Sequence, residues 1–96
     1  MPAQNHSPFE ISDVKAVTIR LHPGEDLKAQ LDEYVKANHV KAACILTCVG
    51  SLQQVTLRFA NQSVTEMISG KLEISSLAGT LAENGSHLHI TVSDSM

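Results

Sequence analysis

Two histidines near the end of the sequence, His87 and His89, have the residue type and the spacing of metal ligands. In an extended strand, residues two apart point to the same side, so both imidazoles would project from one face. A catalytic zinc usually takes three protein ligands and leaves a fourth position for water. The pair therefore predicts half of a metal site. The alternative is an ordinary polar pair that faces solvent from a strand.

The remaining polar residues do not complete a catalytic arrangement. No Gly-x-Ser-x-Gly elbow accompanies the serines, and the glycines occur singly, so neither a nucleophile nor a phosphate-binding loop is predicted. Glu73 alternates with apolar neighbours in a predicted strand and faces the other side. It could be solvated, pair with Arg58, or serve two histidines as an orienting group or general base. Of these alternatives, we favour an ion pair of Glu73 that has a structural role or lies in an interface.

The charge of the chain limits its partners. The net charge is −3, and the seven lysines and arginines are dispersed along the sequence. This balance argues against a protein that holds nucleic acid mainly through its phosphates. No apolar run approaches the roughly 20 residues that span a bilayer. We therefore expect a soluble, intracellular protein without a membrane partner and without direct nucleic acid binding, in either cytoplasm or nucleus.

The hydrophobic pattern predicts an α+β domain, in which one covering amphipathic helix lies on a mostly antiparallel sheet. Residues 1–12 are expected to form a flexible N-terminal segment. A first strand over 14–21 is followed by a helix over 25–37 that ends at a left-handed Asn38, and then by a strand over 42–50 that is covered on both faces. Further strands are predicted over 54–60, 64–68, 71–81 and 87–92, with turns at Asn61-Gln62, Ser69-Gly70 and Asn84-Gly85.

Five ordered segments of the sequence resemble the landmarks of the PPC domain, the plants and prokaryotes conserved domain. They are His22-Pro23-Gly24-Glu25-Asp26-Leu27, Cys48-Val49-Gly50-Ser51-Leu52, Thr56-Leu57-Arg58-Phe59-Ala60, Gly70-Lys71-Leu72-Glu73-Ile74-Ser75-Ser76-Leu77-Ala78-Gly79-Thr80 and Gly85-Ser86-His87-Leu88-His89. The similarity runs from about Val14 to Asp94. The domain is found behind AT-hooks in plant nuclear proteins and alone in bacteria and archaea.

The resemblance implies a homotrimeric PPC-like domain over residues 13–96. Stand-alone members are expected to add a third imidazole from a Gly-Gly-His segment after the His-x-His strand, which would make a zinc site with His87 and His89. The domain is expected to be truncated here, without that segment and without the final strand. In plant members, the segment similar to 70–75 is associated with partner contacts, so Gly70, Glu73 and Arg58 are candidate interface or metal-supporting residues.

Two functions follow from these observations. The first is a non-enzymatic oligomerisation and interaction module, which we favour because no catalytic set is complete. Association with DNA would rest on family analogy alone, since the sequence has no Arg-Gly-Arg-Pro hook. The second is a zinc-dependent lyase or hydrolase, because the PPC fold is similar to those of acetolactate decarboxylase and certain zinc esterases. That activity is expected to be lost without the third ligand.

Overall fold

The computed structural model describes residues 9–60 and 63–94. These contain one helix, α1 (Leu27–Ala37), and four strands, β1 (Ala43–Cys44), β2 (Ser51–Arg58), β3 (Thr65–Leu81) and β4 (His87–Asp94). Every strand pairing is antiparallel. The α+β class and the single covering helix are therefore confirmed. No helix within the described ranges is long and apolar enough to cross a membrane.

Strand β3 pairs with the other three strands. Thr80 pairs with Cys44 of β1 and with His87 of β4, while Glu73 pairs with Ser51 of β2 and with Ser93 of β4. Because a strand has two edges, β1 and β2 must share one edge of β3 and β4 must occupy the other. β1 and β2 have the same register on that edge, and two hydrogen bonds lie between them: Ile45 N–H to Gly79 O (3.1 Å) and Ile74 N–H to Gly50 O (2.9 Å).

Strand β3 is bent by two bulges instead of being broken by a turn. Leu72 pairs with Leu52 while Ser69 pairs with Gln54, so one extra residue on β3 lies at the position of Gly70. A second extra residue, Ser75, faces β4. The predicted turn at Ser69-Gly70 is therefore wrong. Gly70 has a φ of 140° and bends the strand where the pattern suggested a reversal.

The predicted strand over 14–21 is wrong, and the predicted strand over 42–50 is confirmed only at Ala43 and Cys44. Residues 14–20 are exposed, with Val14 81% and Val17 58% accessible, and residues 14–21 belong to no strand. Of the predicted strand over 42–50, only Ala43 and Cys44 are assigned to a ladder, and Val49 is 96% exposed. An apolar alternation favours an extended backbone, but a strand also needs a neighbour that accepts its hydrogen bonds. The predicted turn at Asn61-Gln62 lies outside the described residues.

Helix α1 begins at Leu27, two residues after the predicted start. Asp26 is the N-cap, because its carboxylate accepts a hydrogen bond from the Ala29 N–H at 2.9 Å. Leu31 and Val35 lie one turn apart on the inner face of the helix and pack with Leu81 into the main buried cluster. The helix therefore covers the sheet at one end, where β3 finishes.

The helix ends with a left-handed residue one position later than predicted. Asn38 has a φ of −104°, whereas His39 has a φ of 52°. The Val40 N–H donates to the Val35 carbonyl at 2.9 Å, and the His39 N–H donates to the Lys36 carbonyl at 3.4 Å. This is a Schellman motif, and Val40 packs against the buried cluster that contains Val35. Histidine tolerates the left-handed region better than most residues do.

The hairpin between β3 and β4 forms where Asn84-Gly85 predicted it. The Gly85 N–H donates to the Ala82 carbonyl at 3.1 Å and closes a turn. Behind the turn, Gly79 lies opposite Leu88 with a φ of 145°. A Cβ on Gly79 would lie 2.0 Å from the backbone oxygen of His87. Glycine at this position therefore allows the two backbones to approach each other.

We expect Gly79→Ala to lower the free energy of unfolding by about 3 kcal/mol or more, because it adds both a backbone clash and a strained φ. Gly50→Ala is the matched control, since its Cβ would meet only the Ile74 side chain at 3.9 Å. Urea unfolding followed by circular dichroism measures both variants. Equal stability of the two would contradict this account of Gly79.

Candidate functional site

His87 and His89 project from the same face of β4, as the sequence predicted. Their Nε2 atoms are 3.1 Å apart, and their ring centroids are separated by 4.8 Å with an interplanar angle of 67°. Both side chains are exposed. On the next strand, Ala78 lies opposite His89 and Thr80 lies opposite His87. The pair is thus an accessible dyad of ring nitrogens on the face of the sheet opposite Leu88.

The two Nε2 atoms lie within hydrogen-bonding distance of each other, and the same spacing fits two ligands of one metal ion. Zinc–nitrogen bonds of about 2.05 Å to two atoms 3.1 Å apart would subtend an angle of about 98° at the metal, near the tetrahedral value. Within the described residues, however, no group of three or more His, Cys, Asp or Glu side chains could hold a metal. The described part of the chain therefore presents two ligands, and a complete zinc site would need a further one.

The structure does not bring Glu73 to the histidines. Glu73 pairs with Ser93, which lies four positions from His89, or about 13 Å along the strand. Arg58 pairs with Thr65, at the other end of the ladder from the Ser51–Glu73 pair, seven positions or about 23 Å away. An ion pair between Arg58 and Glu73 of one chain is therefore excluded. Arg58, Gly70 and Glu73 are spread along the β2–β3 ladder and do not form one site with the dyad.

Contacts from α1 and from the two residues after Asn38 hold the hairpin that carries the dyad. The Ser86 hydroxyl donates to Asp32 Oδ1 at 3.0 Å, one residue before His87. The Glu83 N–H donates to the Val40 carbonyl at 3.0 Å, and the Glu83 carboxylate lies 3.1 Å from His39 Nδ1. Asp32 and Ser86 are 54 positions apart in the sequence. No local signal could have identified this contact.

The Asp32 carboxylate is held in its charged form. Its pKa lies below the ordinary value of 3.8, mainly because Lys28 Nζ donates a hydrogen bond to Oδ2 at 2.7 Å. Partial burial opposes this shift, and the hydrogen bond from Ser86 adds to it. A charged Asp32 thus links the second turn of α1 to the residue that precedes the dyad.

The fold and the dyad define an α+β domain with a strand-borne histidine pair, and comparison with known proteins identifies its family. The sequence model of the Plants and Prokaryotes Conserved (PCC, or PPC) domain family matches residues 9–96. The chain belongs to this family. The predicted resemblance is confirmed.

The chain covers different shares of the proteins that it resembles. The chain is 41% and 39% identical to segments of the "Bifunctional protein GlmU" of two Synechococcus strains, over 95% and 91% of its length. It spans only 14% of each of these relatives. The structure of a hypothetical protein from Salmonella enterica, solved at 1.55 Å, aligns with a TM-score of 0.78 and 45% sequence identity. The alignment covers 80% of this chain and 56% of the Salmonella chain. The structure of a candidate DNA-binding protein from Bacteroides thetaiotaomicron aligns with a TM-score of 0.60 and 27% sequence identity. This alignment covers 72% of this chain and 52% of the Bacteroides chain.

We expect Asp32→Asn to lower the free energy of unfolding by about 0.5–1 kcal/mol at pH 7, because it removes a partly exposed ion pair. The pKa of Asp32 is lower in the folded state than in the unfolded state, so the charged carboxylate stabilises the fold at pH values above its unfolded-state pKa. This stabilisation is lost as the pH falls through the folded-state pKa. The difference between variant and wild type should therefore shrink below about pH 4.

The measurement is urea unfolding at a series of pH values. Glu33→Gln is the control, since it removes the same charge at the next, exposed position of α1. The same pH dependence in both variants would show that the Asp32 contacts are not the cause.

Proposed function

We propose that this chain is an interaction module of the PPC type that works by self-association. The supporting observation is the amount of apolar surface left uncovered. Only Leu31, Val35, Leu72 and Leu81 among the described residues form a buried hydrophobic core, while Val49, Leu46 and Met67 are 96%, 71% and 65% exposed. Soluble monomers rarely leave so much of their apolar content in water. A partner that covers it would supply the missing burial.

The shape of the chain supports the same proposal. Its radius of gyration is 16.8 Å, whereas a compact domain of this length has about 12.5 Å. The extents of 63 × 31 × 22 Å describe an elongated molecule. A small chain that does not close around its own core gains stability from association. The family resemblance implies that this assembly is a homotrimer.

Protein surfaces suit this chain better than DNA does. The Bacteroides neighbour is named as a candidate DNA binder, but here the net charge is −3 and the basic residues are dispersed. A site for DNA phosphates would need a cluster of Lys and Arg. A module that gathers protein partners needs no such cluster.

A second candidate function is zinc binding, with lyase or hydrolase chemistry in an assembled site. The observation that favours it is the 3.1 Å separation of the two Nε2 atoms. A bound zinc would polarise a carbonyl or activate a water. The third ligand would come from outside the described residues, as the family resemblance implies.

The oligomeric state tests the first proposal. Size exclusion with light scattering should give a mass three times the chain mass of 10.3 kDa at micromolar concentration. The reason is that the exposed apolar groups remove themselves from water when copies associate. A stable monomer over the whole concentration range would refute self-association.

Calorimetric titration with zinc tests the second proposal. We expect weak binding that depends on both imidazoles, so His87→Ala should abolish the heat while His22→Ala, at the turn before α1, should retain it. Metal analysis of the purified variants gives an independent reading. Unchanged zinc uptake by His87→Ala would rule out the dyad as the ligand pair, and wild-type binding tighter than about 1 μM would show that its ligand set is already complete.

A further inference from the structure

The histidine dyad lies in a surface of small, uncharged side chains. We call this surface the dyad patch. It lies on the face of the β3–β4 ladder opposite Leu88 and consists of Ser76, Ala78, Thr80, His87, His89 and Thr91. All six residues are exposed, and none carries a carboxylate or an amine. Because the imidazoles are the only large side chains of the patch, an approaching molecule meets them first.

The dyad supplies half of the ligands of a four-coordinate zinc. An ion bound by His87 and His89 keeps two positions open. Within the described ranges, no further His, Cys, Asp or Glu completes a group of three that could hold a metal. A second copy of the chain carries the same exposed pair, and two pairs provide the four nitrogens of a tetrahedral site. This source of ligands needs no residue outside the described ranges.

We propose that the dyads of two copies of the chain bind one zinc ion between them. This inference rests on the proposed zinc binding and goes beyond it by naming the ligands that complete the site. The contact is isologous, since each copy presents the same patch to the other, and it closes at two chains. The dyad patch contains none of the exposed apolar side chains, such as Leu46, Val49 and Met67, that support association without metal.

The geometry of two sheets is compatible with a shared zinc. The two chelating pairs of a tetrahedral zinc lie in perpendicular planes. Because both imidazoles of a pair rise from one strand, the two β4 strands would cross steeply, and packed sheets do cross at about 90° as one of their two common arrangements. Stacked sheets lie about 10 Å apart, and the small side chains of Ala78 and Thr80 leave this space to the imidazoles and the metal.

The contact should form only when zinc is present. Apart from the imidazoles, Ala78 is the only residue of the patch without a polar side-chain atom, so the patch offers little apolar area that could drive association by itself. Two copies can approach at this patch without facing like charges, although the net charge of the chain is −3. Metal coordination is therefore the main attraction, and a chelator should separate the copies.

Sedimentation equilibrium tests the shared site. The probe is zinc chloride added in steps to metal-free protein, with the mass in EDTA as the reference. We expect the mass to increase about twofold or more and to stop increasing at one zinc per two chains, and excess EDTA should reverse the change. The reference mass already includes any association through apolar surfaces, because that association needs no metal.

Three substitutions separate the ligands from the surface around them. His87→Ala and His89→Ala should each abolish the zinc-dependent increase in mass. Ala78→Tyr keeps both imidazoles but adds a ring beside His89, and it should weaken zinc-dependent association about 10-fold or more by overfilling the contact. Thr56→Tyr is the matched control: it adds the same ring at an exposed position of β2 and should associate within about threefold of wild type. Circular dichroism checks that each variant is folded.

Cobalt(II) gives a second reading that does not depend on a substitution. Like zinc, cobalt binds imidazole nitrogens, and its geometry is visible in its absorption, which is strong for four-coordinate and weak for six-coordinate ions. We expect the strong absorption to appear and to saturate at one cobalt per two chains. A six-coordinate spectrum in the associated protein would overturn the site of four imidazoles.

The outcomes separate this inference from the proposed zinc binding. A wild-type protein that takes up no zinc refutes zinc binding, and the shared site falls with it. Uptake of one zinc per chain without a change in mass overturns the shared site alone and leaves zinc binding standing. An increase in mass that persists in His87→Ala, or that is unaffected in Ala78→Tyr, also overturns it. One zinc per two chains, with association lost in both histidine variants and retained in the control, supports it.

Discussion

The structure depends on the hydrogen bonding of β3 along both of its edges. Strands β1 and β2 lie on one edge and β4 lies on the other, so every other strand of the described sheet pairs with this one. The helix also meets the sheet through Leu81, the last residue of β3. A single strand of 17 residues can serve all these partners because two bulges bend it along its length.

The two ends of this strand differ in what packs against them. At its C-terminal end, Gly79 allows β4 to approach closely, and the hairpin is held to α1 through Ser86 and Asp32. These contacts fix the position of the hairpin that carries the histidine dyad. At its N-terminal end, β3 has only β2 beside it among the described residues. Within the described residues, the sheet is therefore packed against the helix near the dyad and is only two-stranded at the other end.

The site was predictable to the extent that it depends on local backbone geometry. The His-x-His spacing placed both imidazoles on one face of a strand, and the structure shows their Nε2 atoms 3.1 Å apart. An ion pair between Glu73 and Arg58 of one chain was one of the alternatives that the pattern left open, and it does not form because strand register sets the distance between positions on different strands. Register depends on bulges and turns that a residue pattern does not specify.

The sequence alone determined the family, the α+β class, the helix that ends at Ala37, the hairpin at Asn84-Gly85 and the shared face of the dyad. These features follow from short-range periodicity, turn chemistry and ordered motifs. Tertiary structure decided which apolar segments became strands, that Gly70 bends β3 instead of reversing it, and that Asp32 supports the dyad. The reason is physical: a strand and a distant hydrogen bond both require a partner that only the folded chain brings within reach.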